Sequence, residues 1–158
     1  MQVGLFWALL ALGCSGSRHE PAQVLDPERQ QEPHAHSINL DPSGRHALVP
    51  DLGTDKVIVY HIDSEAGRLT ADPDATVHAA RGSGPRHLDF HPNGRWVYVI
   101  NEIGSTLALH EYNAGSGKLT NVQTESTLPA GFDGRSTTAD VHVHPSGRHV
   151  YGSNRGDD

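Results

Sequence analysis

Residues 86–120 read RHLDFHPNGRWVYVINEIGSTLALHEYNAGSGKLT, and their periodicity decides the fold. Leu88 and Phe90 alternate with Asp89 and His91, the period of two that a half-buried strand requires. Pro92-Asn93-Gly94-Arg95 then marks a tight turn, with proline fixing φ and glycine taking the positive-φ position. Trp96-Val97-Tyr98-Val99-Ile100 follows as a second strand, rich in β-branched and aromatic residues. Residues 106–112 read as a third strand and 122–127 as a weaker fourth, separated by the turn Ala114-Gly115-Ser116-Gly117. No stretch carries the 3.6-residue period of an amphipathic helix.

The same unit recurs on both sides. Residues 36–70 (HSINLDPSGRHALVPDLGTDKVIVYHIDSEAGRLT) and 139–158 (ADVHVHPSGRHVYGSNRGDD) align with it. The turn prolines Pro42, Pro92 and Pro145 are spaced by 50 and 53 residues, as are Gly44, Gly94 and Gly147 and the arginines Arg45, Arg95 and Arg148. In the first unit the strands fall at 38–40, 47–49, 56–62 and 76–80, with Ser64-Glu65-Ala66-Gly67 as the turn before the last. In the third they fall at 141–143 and 150–151. Four short antiparallel strands in about 50 residues is the pattern of a β-propeller blade. The expected fold is therefore all-β: about two and a half blades, in units 34–84, 85–137 and 138–158. A propeller closes with roughly four to eight blades, so this length reads as part of a longer ring.

Ahead of the blades, residues 5–12 (LFWALLAL) form a short apolar run followed by Gly13-Cys14-Ser15. Residues 1–17 read as a signal-like or lipobox-like segment, with export or lipid anchoring through Cys14 as the consequence and a cytoplasmic protein as the alternative. Residues 18–33 are polar and proline-punctuated, an expected linker or loop. The net charge of −7 argues against tracking a nucleic-acid backbone, and the single cysteine excludes an intrachain disulfide framework. A membrane association would need lipidated Cys14, since no apolar run reaches the length of a spanning helix.

The repeat also locates a candidate site. The start of the first strand is occupied in turn by His36, Arg86 and Ala139, and the end of the second by Leu52, Glu102 and Arg155. These two strands are antiparallel neighbours, so both positions lie at one edge of each blade, facing one mouth of the central channel. Scaffolding positions stay alike from blade to blade, as the Pro-x-Gly-Arg turn does; these differ. Two arginines offer fixed cations for a carboxylate or phosphate, and a glutamate and a histidine offer acid and base groups. The competing reading is a structural Arg86–Glu102 ion pair beside a satisfied strand-end His36, which spacing alone favours.

Pro33-His34-Ala35-His36-Ser37, Gly84-Pro85-Arg86-His87, Asn101-Glu102, Thr138-Ala139-Asp140-Val141-His142 and Ser153-Asn154-Arg155 resemble the lactonase family of seven-bladed propellers, over residues 26–158. That family includes propeller-type 6-phosphogluconolactonases and carboxy-muconate lactonizing enzymes. The resemblance implies a site of His36, Arg86, Glu102 and Arg155, with Arg86, Arg155, His34 and His87 as substrate contacts and no metal or organic cofactor. It implies hydrolysis of a small anionic sugar-acid lactone such as 6-phosphogluconolactone. Arg86 and Arg155 would hold the anion and polarise the carbonyl. One of Glu102 and His36 would activate water, and the other would protonate the leaving alkoxide. The alternative is a non-catalytic binding propeller or an inactive fragment.

The 12 histidines invite a metal reading through His34-x-His36 and His142-x-His144, but His91 and His144 fill turn slots equivalent to Asp41. His46 and His149, each following a turn arginine, are expected to be exposed. Trp96 and Tyr98 are expected to pack between blades, and Asp140 with His142 to form a buried hydrogen-bonded pair. Residues 132–138 are expected to be a loop ahead of the third unit.

Overall fold

A computed structural model of the chain describes residues 5–6 and 26–156. Those residues form strands and turns and no helix. The first blade is the sheet β2 (Asn39–Leu40), β3 (His46–Asp51), β4 (Lys56–Asp63) and β5 (Arg68–His78), in that order. The second is β6 (Pro85–Phe90), β7 (Trp96–Asn101), β8 (Thr106–Tyr112) and β9 (Leu119–Ser126). The third holds β10 (Thr137–Val143) and β11 (Val150–Arg155), with the two-residue β1 (Leu5–Phe6) antiparallel to β11 on its outer side. The rest of the signal-like segment, Cys14 included, lies outside the described residues.

The repeated turn is built the same way three times. Gly44, Gly94 and Gly147 have φ of 69°, 69° and 70°. Their amides donate to the carbonyls of Asp41, His91 and His144, at 2.9, 2.9 and 2.7 Å. A left-handed backbone at that position is why glycine recurs there.

Both faces of the second blade are covered, and strand alternation sorts its side chains. Val97, Val99 and Ala108 pack with Leu48, Val57, Val59 and Ala75 of the first blade. Ile100 and Tyr98 face the other way and pack with Val141, Val143 and Val150 of the third. Tyr98 thus lies between blades, as the sequence suggests, while Trp96 is partly exposed beneath the Arg95 guanidinium, 5.5 Å from its ring.

Two more expectations change in the first blade. The fourth strand of the first blade begins at Arg68, eight residues before the expected start. Its ladder jumps from Val59↔Asp72 to Val57↔Val77, and the residues between loop out around Asp72, whose Oδ1 accepts from the amides of Asp74 and Ala75 at 2.9 and 3.1 Å. Pro73 and the flanking aspartates hide the strand because proline and Asx turns read as breakers. His46 is not exposed but 2% exposed, sealed in the seam between blades. Its Nδ1 lies 3.1 Å from the Tyr112 hydroxyl, which is 3.1 Å from Asp41 Oδ2. The repeat gives no hint of this, because the partner comes from the next blade.

Candidate active site

The inner strand of every blade carries one extra residue at the same repeat position. Ala35 faces Asp51 but Asn39 faces Leu48, four steps against three. Pro85 faces Asn101 but His87 faces Ile100, two steps against one. Thr138 faces Asn154 but Val141 faces Gly152, three against two. A bulge of this kind breaks strict alternation and re-aims side chains. It falls on His36-Ser37, Arg86-His87 and Ala139-Asp140, so adjacent side chains reach the channel edge and the neighbouring blade. Ser37 Oγ donates to the Arg86 carbonyl at 3.2 Å, and Arg86 Nη1 donates to the Ala139 carbonyl.

A second device fixes the approach to each bulge. Asp55 and Ser105 are repeat equivalents with φ of 55° and 47°. The buried Asp55 carboxylate accepts from the amides of Gly82 and Gly84, at 2.7 and 2.8 Å, just before Arg86. Ser105 Oγ donates to the Ser136 carbonyl at 3.1 Å, just before the third inner strand. Each blade thereby sets the entry of the next.

Glu102 is the hub of the site. Its side chain is 2% exposed, yet it is surrounded by cations. Arg29 Nη1 lies 2.8 Å from Oε1, Arg155 Nη2 3.0 Å from Oε1, and Arg86 Nε 2.7 Å from Oε2. His36 Nε2 faces Oε2 at 3.8 Å. Burial pushes the Glu102 carboxyl up, but the Arg29 hydrogen bond and the charges of Arg155, Arg29 and Arg86 outweigh it, leaving it below the ordinary value. It is therefore ionised at neutral pH. Burial first, and then the Arg86 charge, hold the His36 imidazole below its ordinary value, so His36 is neutral there.

The histidines form one group. His34 stacks on His36 with ring centres 5.6 Å apart, and His36 meets His87 edge-on at 5.5 Å. His87 Nδ1 lies 2.6 Å from Asp140 Oδ1, and His87 Nε2 faces Arg86 Nη1 at 3.3 Å. All the expected residues, His34, His36, Arg86, His87, Glu102 and Arg155, thus gather at one edge. The expected Asp140–His142 pair forms at 3.2 Å but is exposed rather than buried. Residues 137 and 138, expected in the loop, open β10 instead.

Sequence reasoning missed Arg29, which lies before the repeat and has no equivalent in the other units. A turn places it: Asp26 Oδ1 accepts from the Arg29 amide at 3.1 Å, and Gln30 Nε2 donates to Leu52 O and Asp55 Oδ1 at 2.9 and 2.8 Å. Gly53 permits this approach, since a Cβ there would collide with the Glu32 carbonyl oxygen. Among the described residues no three His, Cys, Asp or Glu side chains are grouped as a metal site. A separate groove between the outer strands, lined by Val57, Val77, His110 and Gln123, has none of these charged groups.

The family described as "Lactonase, 7-bladed beta-propeller" matches residues 12–158. The chain belongs to this lactonase family. Its relatives include a 6-phosphogluconolactonase of Pectobacterium carotovorum, 38% identical over 144 residues, covering 91% of this chain and 42% of that enzyme. Another, from Yersinia enterocolitica, is 38% identical and covers 96% of this chain and 46% of the relative. Among solved structures, the periplasmic gluconolactonase of Pseudomonas aeruginosa superposes with a TM-score of 0.79 at 40% identity, over 85% of this chain and 37% of that one. This lactonase-family chain spans less than half the length of the relatives it matches.

Proposed function

We propose that these blades carry the substrate-binding and catalytic edge of a hydrolase acting on a sugar-acid lactone with an anionic group, of the 6-phosphogluconolactone type. The observation that carries this reading is the Glu102 hub, where three guanidinium groups converge on one carboxylate and leave an excess of positive charge at the blade edge. The names of the relatives, 6-phosphogluconolactonase and gluconolactonase, agree with it.

Lactone hydrolysis places negative charge on the carbonyl oxygen as water adds, and fixed donors at that point lower the barrier. Arg155 and Arg29, 49% and 38% exposed, have further N–H donors open to an anion or a polarised carbonyl. Arg86, 16% exposed, is engaged with Glu102, Ala139 and His87 and contributes a fixed positive field. Glu102 spends both oxygens on guanidinium groups and is a weak base, so its role is to hold the cations in place. The proton of the attacking water then passes to a neutral imidazole.

The test is a pH-stat assay of the full chain with 6-phosphogluconolactone and gluconolactone, each read against the buffer blank. The expected result is faster hydrolysis of the phosphorylated lactone, with Arg29→Ala and Arg155→Ala raising its KM about tenfold, the worth of one charge-assisted hydrogen bond. Rates equal to the blank for both lactones overturn the proposal.

A further inference from the structure

We propose that His87 is the base that takes the proton from the attacking water, and that Asp140, from the next blade, is the residue that positions it. The inference rests on the lactonase reading above and goes beyond it by assigning the proton.

The geometry separates the candidates. An ionised carboxylate only accepts hydrogen bonds, so the 2.6 Å contact between His87 Nδ1 and Asp140 Oδ1 puts the imidazole proton on Nδ1. The lone pair is then on Nε2. The Val141 amide donates to the same Asp140 oxygen at 2.9 Å and fixes the carboxylate against its own strand. Burial pushes the Asp140 carboxyl up, but the His87 and Val141 hydrogen bonds bring it below its ordinary value and keep it ionised. On the other side Nε2 meets Arg86 Nη1 at 3.3 Å, a long contact made by a nitrogen that also donates to Ala139 O. The lone pair is thus weakly engaged and lies beside a guanidinium of the hub. The His87 side chain is 27% exposed, enough for water to reach it.

The other groups fit the role less well. Glu102 has both oxygens committed to guanidinium groups. His36 Nε2 lies 3.8 Å from Glu102 Oε2, too far for a hydrogen bond, so no carboxylate sets its tautomer as Asp140 does for His87. His34 is exposed and stacks on His36. The dyad also depends on two coincident irregularities. His87 and Asp140 lie 53 residues apart, each on an inner-strand bulge of adjacent blades, and without the bulges their side chains would alternate to other faces.

The chemistry balances. His87 Nε2 takes a proton from water as the water oxygen bonds to the lactone carbonyl carbon, and the carbonyl electron pair moves to an oxygen held by guanidinium N–H groups. Collapse of that adduct breaks the bond to the ring oxygen, and the His87 imidazolium returns its proton to the departing alkoxide. One lactone and one water give one hydroxy acid.

The test combines spectroscopy and kinetics on the full chain. With 15N-labelled histidine, NMR should show His87 as the Nδ1–H tautomer, and Asp140→Ala should abolish that preference. A His87 resonance of the Nε2–H form in the unaltered chain overturns the dyad, whether or not any variant folds. In the lactone assay His87→Gln should lower kcat about 10²–10⁴-fold, the usual range for removing a general base, with KM within about twofold. Asp140→Asn should lower kcat at least about tenfold by misorienting the imidazole. If the unaltered chain hydrolyses the lactone and His87→Gln keeps kcat within about threefold, the dyad is wrong and the lactonase reading stands. If the unaltered chain hydrolyses neither lactone, both fail together.

Discussion

Replacing Asp41 by Asn isolates one charge in the seam between the first two blades. Burial pushes the Asp41 carboxyl up, but donors surround it: Ser43 Oγ at 2.6 Å, the amides of Arg45 and His46 at 2.8 and 2.9 Å, and the Tyr112 hydroxyl at 3.1 Å. Together they bring it from 3.8 to about 2. A carboxylate whose folded value is depressed stabilises the fold above its unfolded value, and that stability is lost as pH falls through the folded value. At about 1.4 kcal/mol per pH unit, Asp41 contributes about 2 kcal/mol at pH 5 and a few tenths at pH 2. Asn keeps an oxygen for the two amides but puts an NH2 donor where Oδ2 accepts from the Ser43 and Tyr112 hydroxyls, a cost that does not change with pH, and it removes the titrating charge. Urea unfolding of both proteins at pH 7, 5, 3 and 2 should give a stability difference that is constant from 7 to 5 and shrinks by about 2 kcal/mol by pH 2. A difference that stays constant down to pH 2 would refute the view that this carboxylate is stabilised by its donors across the seam.

His110 tests a higher window of the same acid limb. Burial lowers its imidazole from 6.5 to about 4, so the folded chain should lose about 3 kcal/mol as pH falls from 7 to 4, and His110→Gln should remove that slope in the same unfolding experiment. Gly53→Ala should drive its new Cβ against the Glu32 carbonyl oxygen and displace the turn that carries Arg29. The expected outcome is a loss of about 1–3 kcal/mol from overpacking, together with weaker binding of 6-phosphogluconate by calorimetry. Unchanged product binding would show that the Arg29 turn is not part of the site.

Much of the architecture was legible because a repeat supplies its own alignment. Pro42, Pro92 and Pro145 fixed the turns, and the offsets of 50 and 53 carried His36, Arg86, Glu102 and Arg155 to one edge without any homologue. Positional equivalence predicts where a residue is, not what it touches. His46 reads as a turn-flanking polar residue until Tyr112 arrives from the following blade to cover it. Arg29 precedes the first unit and has no counterpart to betray it. The early start of β5 was hidden by Pro73 and the Asx turn at Asp72, local signals that say "break" inside a strand which resumes after a four-residue detour. The competing ion-pair reading of Arg86 and Glu102 also proved structurally true, at 2.7 Å. Pairing and function are compatible here, because the carboxylate that satisfies one arginine also gathers two more.

The inner-strand bulge divides labour within each repeat. Flanking positions such as Val99, Ile100 and Val141 are bound by the packing of two neighbouring blades and leave little room for change. The extra residue belongs to neither ladder register, so its identity is free of the hydrophobic alternation. Each blade therefore carries a socket into which different side chains can be plugged: His-Ser in one, Arg-His in the next, Ala-Asp in the third. A ring of such sockets can change its chemistry one blade at a time, by substitutions that cost the core nothing. A new specificity needs no new fold and no insertion, only a different pair of residues at a place the backbone has already set aside.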